Sequence, residues 1–279
     1  MLEGPPPRGV GSPPDMTKRI LPGGLPMIAA AALILLLTHS PTAAFGQLPG
    51  GGGSDPSSFN PALLQLFGGA KAFSGRVNLR VTDQGNKETM RTPMTLVYLE
   101  NKVRVEVNLG DMVQATLPPQ AIAMFKQAGM DQVTSILRPD RKQAIICFPA
   151  AKIYTQEGMS PSDLDAFNST YDVKFQEIGN ESLEGHPCTK CKFTVGSSSG
   201  KTMQGTVWRA TDLKNFPVRI QVPAPDSTLE MTFKEIKTAR PEAAQFEAPG
   251  GFKRFDNMEK LMTERMSSIL GGGAPQPRK

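Results

Sequence analysis

The amino-acid sequence predicts a mainly β protein with a few helices (α+β), built as one curved antiparallel sheet that forms an incomplete barrel with a helical lid. Three observations predict this fold class. Short segments with apolar residues at every second position follow one another from Phe73 to Ile236. Short turns separate them, which leaves no room for the crossovers of about a dozen residues that parallel strands need. Only three longer helical segments occur, and they are needed because a one-faced sheet must cover its apolar face.

Alternation of apolar and polar residues predicts the strands. In the first strand, Phe73, Val77, Leu79 and Val81 alternate with polar residues, so one face is dry and the other is wet. A hairpin follows, because a turn at Asn101 joins two more runs of this kind. The predicted strands are residues 73–81, 94–100, 102–107, 133–138, 143–148, 151–156, 171–178, 187–196, 203–210, 216–222 and 228–236.

Helices are predicted at four places. Asn60 and Pro61 are typical of the cap and the first residue of a short helix, which two glycines stop after Phe67. Residues 118–129 and 161–168 form the next two helices. The last is an amphipathic helix that stops at Gly271 and whose apolar residues recur at helical spacing, namely Phe255, Met258, Met262, Met266 and Ile269.

The N-terminal region has the pattern of a signal peptide. Basic residues precede an apolar run at residues 27–37, and small residues follow it. This run is shorter than the roughly 20 residues that span a bilayer. We therefore predict cleavage after Gly46, a periplasmic or secreted mature chain, and no membrane span after cleavage; Met16 is an alternative start. The resulting organisation is a signal peptide at 1–46, a Gly/Ser/Pro-rich linker at 47–58, a single domain at 59–270 and a disordered tail at 271–279.

Composition excludes several function classes. The chain has 2 histidines, and His39 lies in the predicted signal peptide, which leaves no histidine triad or multi-histidine metal site. The net charge of +5 comes from lysines and arginines scattered among acidic residues, without the basic block that nucleic-acid binding usually shows. We predict no catalytic residue, no cofactor, no metal and no nucleic-acid partner.

A series of short motifs, in this order, resembles a known superfamily. They are Lys102-Val-Arg-Val-Glu106, Ile136-Leu-Arg-Pro-Asp140, Pro149-Ala-Ala-Lys-Ile-Tyr154, Ile178-Gly-Asn-Glu-Ser-Leu-Glu-Gly-His-Pro-Cys188, Val207-Trp-Arg-Ala-Thr-Asp-Leu213 with Phe216-Pro217, and Phe246-Glu-Ala-Pro-Gly-Gly-Phe252. The chain resembles the LolA/LolB-like outer-membrane lipoprotein carrier superfamily, and within it a family of exported bacterial proteins of unassigned function. The resemblance implies an incomplete antiparallel barrel with a helical lid over an apolar concavity, which holds acyl chains in the carriers.

Cysteine spacing leaves alternatives open. Cys188 and Cys191 form a Cys-x-x-Cys pair next to His186, as in redox or soft-metal sites. On a strand, however, residues three apart point to opposite faces, and no helix begins here to lower a thiol pKa. A structural disulfide of Cys147 with Cys188 or Cys191 is the alternative in an oxidising compartment, and three free cysteines are a further alternative.

Charged residues and the single tryptophan favour ordinary structural roles. Trp208 is expected in the core rather than at a cavity mouth. The charged residues that could form an acid/base site lie on the polar faces of strands or in turns. We therefore expect them on the solvated surface; they are Arg104, Glu106, Arg138, Asp140 and Arg141.

The leading hypothesis is a non-enzymatic exported binding protein that holds a lipid, an acylated molecule or another hydrophobic ligand between the dry face and the helices. Flexible methionine side chains suit such a surface. The alternative is an envelope protein-interaction or sensor module with a filled core, a use that RseB-type regulators make of a related fold; a thiol redox enzyme is the third. The residues expected to line the ligand are Leu96, Val103, Val105, Phe125, Met258 and Met262.

Overall fold

A computed structural model describes residues 61–114, 119–197 and 202–271. The predicted signal peptide at 1–46 and the linker at 47–58 lie outside the described residues. So does the predicted tail, apart from Gly271, which is the last residue of the C-terminal helix.

One thirteen-stranded sheet dominates the described residues. The strand order is β13-β7-β6-β5-β3-β2-β1-β12-β11-β10-β9-β8, with β4 paired to β2. The first and last strands of this order do not pair with each other, so the sheet is an incomplete barrel and the predicted fold class is confirmed. The strands are β1 Ala72–Asp83, β2 Glu88–Leu99, β3 Lys102–Asn108, β4 Val113–Gln114, β5 Gln132–Arg138, β6 Gln143–Phe148, β7 Ile153–Gly158, β8 Tyr171–Leu183, β9 His186–Ser197, β10 Thr202–Ala210, β11 Phe216–Pro223, β12 Ser227–Lys237 and β13 Lys253–Phe255.

The pairing of β13 with β7 is parallel, so the prediction of a purely antiparallel sheet was wrong at this edge. The residues between these two strands include a helix and five strands, a connection long enough to bring β13 back in the same direction as β7. The prediction had placed Phe255 in the C-terminal helix. It is instead the last residue of β13, and the helix begins at Met258.

The described α-helices are α1 Pro119–Gln127, α2 Pro161–Asn168 and α3 Met258–Gly271. Helix α2 begins where the sequence predicts, because the Ser160 hydroxyl accepts a hydrogen bond from the main-chain N–H of Asp163 at 3.1 Å. The predicted short helix that starts at Pro61 is present as a 3-10 helical turn over Pro61–Phe67. The described 3-10 turns are Pro61–Phe67, Leu109–Asp111, Pro139–Arg141, Thr211–Leu213 and Ala243–Phe246.

The face of the sheet that carries Phe73 and Val77, called here the inner face, packs against the first 3-10 turn. Phe67 of this turn stacks on Phe73, with ring centroids 4.5 Å apart, and contacts Phe216 and Phe233 edge-on. This is the turn-covered cluster, and it extends across β1, β2, β3 and β9 to β12. Its packing holds the larger part of the sheet to the N-terminal segment.

A second cluster on the inner face is covered by helices and is called the helix-covered cluster. Phe125 and Ala128 enter it from α1 and the residue that follows it, and Leu261 and Met262 enter it from α3. The sheet contributes its other members, which include Val133, Phe148, Ile153 and Phe255. The predicted helical cover on the dry face is therefore present.

The opposite face, called here the outer face, is covered at one end by residues 238–252, named the strap. Phe246 of the strap is fully buried in a cluster with Val97, Leu99, Ile136, Ile145 and Cys147. Farther along the same face, Trp208 is 5% exposed and packs with Cys188, Ala210 and Val218. Trp208 therefore lies in a core, as predicted.

Candidate functional site

Half-buried apolar side chains form a strip on the inner face. On β3, Val105 packs against the turn-covered cluster and Val107 packs against the helix-covered cluster, so the two clusters meet here. Neither set of covering elements buries these side chains completely. The apolar strip crosses the neighbouring strands β1, β2, β3, β5 and β6, and its members are Leu79, Met94, Val105, Val107, Leu137 and Ile146.

The structure divides the predicted lining residues among three places, the apolar strip, the turn-covered cluster and the helix-covered cluster. Val105 lies in the apolar strip. Leu96 and Val103 belong to the turn-covered cluster and are only 2% and 1% exposed. The helix-covered cluster holds the other three, with Phe125 and Met262 buried and Met258 half-buried. These six side chains therefore do not form one continuous wall.

Helix α3 contacts its neighbours through polar groups as well as through its buried side chains. Its first main-chain N–H, at Met258, donates to the Glu157 carboxylate of β7 at 3.0 Å. Arg265 donates to the main-chain carbonyl of Ala128, and Lys253 forms an ion pair with Glu264. Leu261 and Met262 are buried in the cluster, and half-buried Met258 packs against it.

A cavity of about 600 Å³ lies on the outer face and is called here the outer-face trough. Its floor is the main chain of one cross-strand row, Val77–Met94–Val107–Val133, whose side chains point to the inner face. Side chains of the flanking rows form its two walls. One wall contains Arg76, Thr95, Glu106 and Thr134, and the other contains Asn78, Pro93, Asn108 and Gln132.

Some polar side chains of the trough already have hydrogen-bond partners within the protein, whereas others have none in the described residues. Arg104 donates to Glu106 at 2.7 Å and to the main-chain carbonyl of Gln245 in the strap at 2.9 Å. By contrast, five lining side chains have no hydrogen-bond or ionic partner within the described parts of the chain. They are Asn78, Thr95, Asp111, Gln132 and Thr134.

Arg138 is a buried charge and corrects one sequence expectation. Its side chain is 5% exposed, whereas we expected solvated surface. The guanidinium binds both carboxylate oxygens of Asp140, at 2.9 and 2.8 Å, and also Glu247 at 2.6 Å. Hydrogen bonds from this guanidinium hold the pKa of both carboxyl groups below the usual range. The network fixes the strap to the end of β5, a structural role that alternation alone does not reveal.

All three cysteines are buried free thiols, so among the alternatives that the sequence leaves open the disulfide of Cys147 with Cys188 or Cys191 is not formed. The strand order explains this, because Cys147 on β6 and the other two on β9 are eight strands apart. A disulfide requires Cα atoms within roughly 7 Å. Cys188 and Cys191 lie in different clusters on opposite faces, as the strand parity predicts.

Burial also makes these thiols poor nucleophiles. It raises the pKa of Cys147 to about 11 and raises the pKa of Cys188 and Cys191 above the ordinary value. Because the thiolate is the reactive form, this arrangement does not support a thiol redox site.

Two further findings concern metals and membranes. Within the described residues, no three or more His, Cys, Asp or Glu side chains are grouped so that they could hold a metal ion. None of the described helices combines the length and the apolar character needed to cross a bilayer.

Comparison with known proteins gives similarity in shape but not in sequence. No protein-family model matches the chain, and no curated protein matches it. A LolA superfamily protein from Nitrosomonas europaea is similar at 12% identity and a TM-score of 0.36, over 69% of this chain and 99% of that one. The lipoprotein LppX of Mycobacterium tuberculosis is similar at 15% identity and a TM-score of 0.34, over 63% of this chain and 91% of that one.

A third similar structure is MucB in complex with MucA(peri), at 14% identity and a TM-score of 0.34, over 70% of this chain and 61% of that one. A LolA superfamily structure is thus among those similar to this chain, as the resemblance in the sequence predicts.

The outer-face trough was missed by the sequence analysis. Its side chains come from five strands and lie together only because of the cross-strand register. No short motif contains them, and each one looks like an ordinary polar residue on the wet side of a strand. Only the strand order could have indicated the site.

Proposed function

We propose that this chain is an exported, non-enzymatic binding protein that holds a lipid acyl chain or another elongated hydrophobic molecule on the inner face of its open sheet. The observation that carries the proposal is the apolar strip. It crosses five neighbouring strands, about 19 Å at the usual strand spacing. Each methylene group that a ligand buried there would contribute about 0.8 kcal/mol.

The elements that cover the inner face are short, which favours a cover that a ligand displaces. A 3-10 turn and short helices lie over the inner face, in place of a second sheet. Helix α3 brings Met258 and Met262 to the helix-covered cluster, and methionine side chains adapt readily to varied apolar shapes. We propose that α3 moves aside when a ligand enters, so that Phe125, Met258 and Met262 line one side and Val105 lines the other. Leu96 and Val103 would then support the lining from beneath.

Native mass spectrometry of the exported chain tests this proposal. The full sequence, with its own leader, is expressed in a bacterial host, and the mature protein is purified from the envelope without detergent. We expect a mass above that of the denatured protein, and we expect the excess to fragment as lipid. Val105→Asp places a charge in the apolar strip and should abolish the excess mass.

Val113→Asp is the matched control, because Val113 is 52% exposed and lies outside the strip. It should retain the excess mass. A folded wild-type protein with no bound molecule would contradict the proposal, as would a folded Val105→Asp variant that retains as much ligand as the wild type.

The second candidate function is an envelope protein-interaction or sensor module with a filled core. The near-complete burial of Leu96 and Val103 favours it, because packed side chains at these positions leave no room for a ligand. A native mass equal to the denatured mass, together with a stoichiometric protein partner recovered from envelope extract, would select this function over the first.

A further inference from the structure

We propose that the outer-face trough binds an extended polypeptide segment about six residues long, with a basic side chain placed at Asp111. The trough lies on the opposite face of the sheet from the apolar strip. The proposal therefore does not depend on the function proposed for the inner face, and either can fail without the other.

The length of the trough sets the length of the segment. Lining residues come from β12, β1, β2, β3 and β5, which are consecutive neighbours in the sheet. Four strand intervals measure about 19 Å, and an extended chain rises about 3.3 Å per residue. A segment that lies across the strands, between the two walls, is thus about six residues long. The volume of about 600 Å³ lies within the usual range of ligand sites.

Hydrogen-bonding groups on the walls match a peptide main chain. Asn78 and Gln132 stand on the same wall, and neither amide has a hydrogen-bond partner among the described residues. A side-chain amide presents a donor and an acceptor together, as a peptide unit does. The two amides are three strand intervals apart, about 14 Å, which matches peptide units four residues apart on one edge of an extended segment.

The opposite wall can serve the other edge of the same segment. Thr95 and Thr134 have hydroxyl groups without a partner in the described structure, and a hydroxyl both donates and accepts. An extended segment between the walls therefore meets hydrogen-bonding side chains on both of its edges.

The charged residues that line the trough determine which side chain a bound segment should carry. The lining cations are already paired, Arg76 with Glu235 at 3.3 Å, Arg104 with Glu106 at 2.7 Å and Lys234 with Glu184 at 3.2 Å. Asp111 is the lining carboxylate without an ionic partner in the described residues. A lysine or arginine near one end of the segment would pair with it. A polyanion finds no free cation of the lining to bind.

The test uses the full exported chain and two libraries of hexapeptides with capped termini. One library has lysine at the first or last position, and the other has glutamate there. Retention on the protein is measured by affinity selection and mass spectrometry. We expect about threefold stronger retention of the lysine library, the size typical of an exposed ion pair. Asp111→Asn should remove this preference.

A double variant tests the amide contacts. Asn78→Ala with Gln132→Ala should weaken retention about tenfold, because two hydrogen bonds are lost. Gln176→Ala with Asn180→Ala is the matched control, since it removes the same two amide types from exposed positions on β8, outside the trough. Thermal unfolding of each variant establishes that it is folded.

Three results would overturn the proposal. The first is that the folded wild-type protein retains neither library. The second is that the Asn78→Ala, Gln132→Ala variant retains peptides as well as the wild type does. The third is that vesicles of phosphatidylethanolamine bind and that this same variant loses their binding, which would assign the trough to a lipid headgroup.

Discussion

Arg138 and Phe246 are joined by a hydrogen bond of 3.1 Å, from Nη1 of the guanidinium to the main-chain carbonyl oxygen, although 108 residues separate them in the chain. The same guanidinium group binds Asp140 and Glu247. The ring of Phe246 is fully buried on the outer face, in the cluster that includes Val97, Ile136 and Cys147. One arginine therefore fixes both the main chain and the acidic side chain of the strap.

Replacing Arg138 should detach the strap. We expect Arg138→Met to lower the free energy of unfolding by about 2–3 kcal/mol, because buried hydrogen bonds to charged groups are lost. Arg141→Met is the control, since Arg141 is 53% exposed and its pair with Glu247 should contribute about 1 kcal/mol or less. Urea unfolding followed by the fluorescence of the single tryptophan measures both. Equal losses in the two variants would contradict this role of Arg138.

Acid should weaken the same network. Hydrogen bonds from Arg138 lower the pKa of Asp140 and Glu247 in the folded protein, so their contribution to stability is present above the unfolded pKa values, about pH 4. It is lost as the pH falls through the lower folded values. The free energy of unfolding should therefore decrease below about pH 4. This decrease should be smaller in Arg138→Met, and parallel pH profiles would show that the network does not couple to protonation.

Gly205 should not accept a methyl group. A Cβ atom there would lie 2.1 Å from the main-chain oxygen of Gln221 and 2.7 Å from the ring of Phe193. We expect Gly205→Ala to destabilise the protein by about 3 kcal/mol or to prevent folding. Gly179→Ala, on β8, meets no atom within 4 Å and should change stability by about 0.5 kcal/mol or less. Thermal unfolding compares the two, and a stable Gly205→Ala protein would mean that β10 and β11 are farther apart.

The three thiols should be hidden in the folded protein and free in the unfolded one. All are buried, and burial raises the pKa of Cys147 to about 11. At pH 8, Ellman's reagent should label them slowly in buffer and all 3 rapidly in denaturant without a reductant. Labelling of one thiol in denaturant would instead support the disulfide that the sequence suggested.

The face of the sheet to which each side chain points was the part of the fold that the sequence predicted best. The alternation on β3 correctly placed Val103 and Val105 on the dry face, since a strand turns successive side chains to opposite faces. The short strand β13 was not predicted, because three residues are too few to show a period and their pairing partner is about 100 residues away. The helical spacing of Phe255 was coincidental.

The burial of a side chain was harder to predict than the face of the sheet on which it lies. Leu96 and Val105 share the dry face, but the structure buries Leu96 and leaves Val105 half-buried. Arg138 stands at the polar end of a strand, where alternation indicates solvent, and it is buried because the strap folds over it. Both outcomes depend on contacts between distant parts of the chain, which no local pattern contains.

The edge strand β8 has a consequence for how copies of this protein behave at high concentration. Among the described strands, none pairs with the outer edge of β8, which is 13 residues long, and such an edge is a template for fibril growth. The register shift between Glu177 and Gly179 breaks the straight line of hydrogen-bonding groups, and Lys174 and Glu181 add charge on either side of it. These features oppose edge-to-edge pairing between the sheets of different copies. The protein should thus resist aggregation in spite of its open edge.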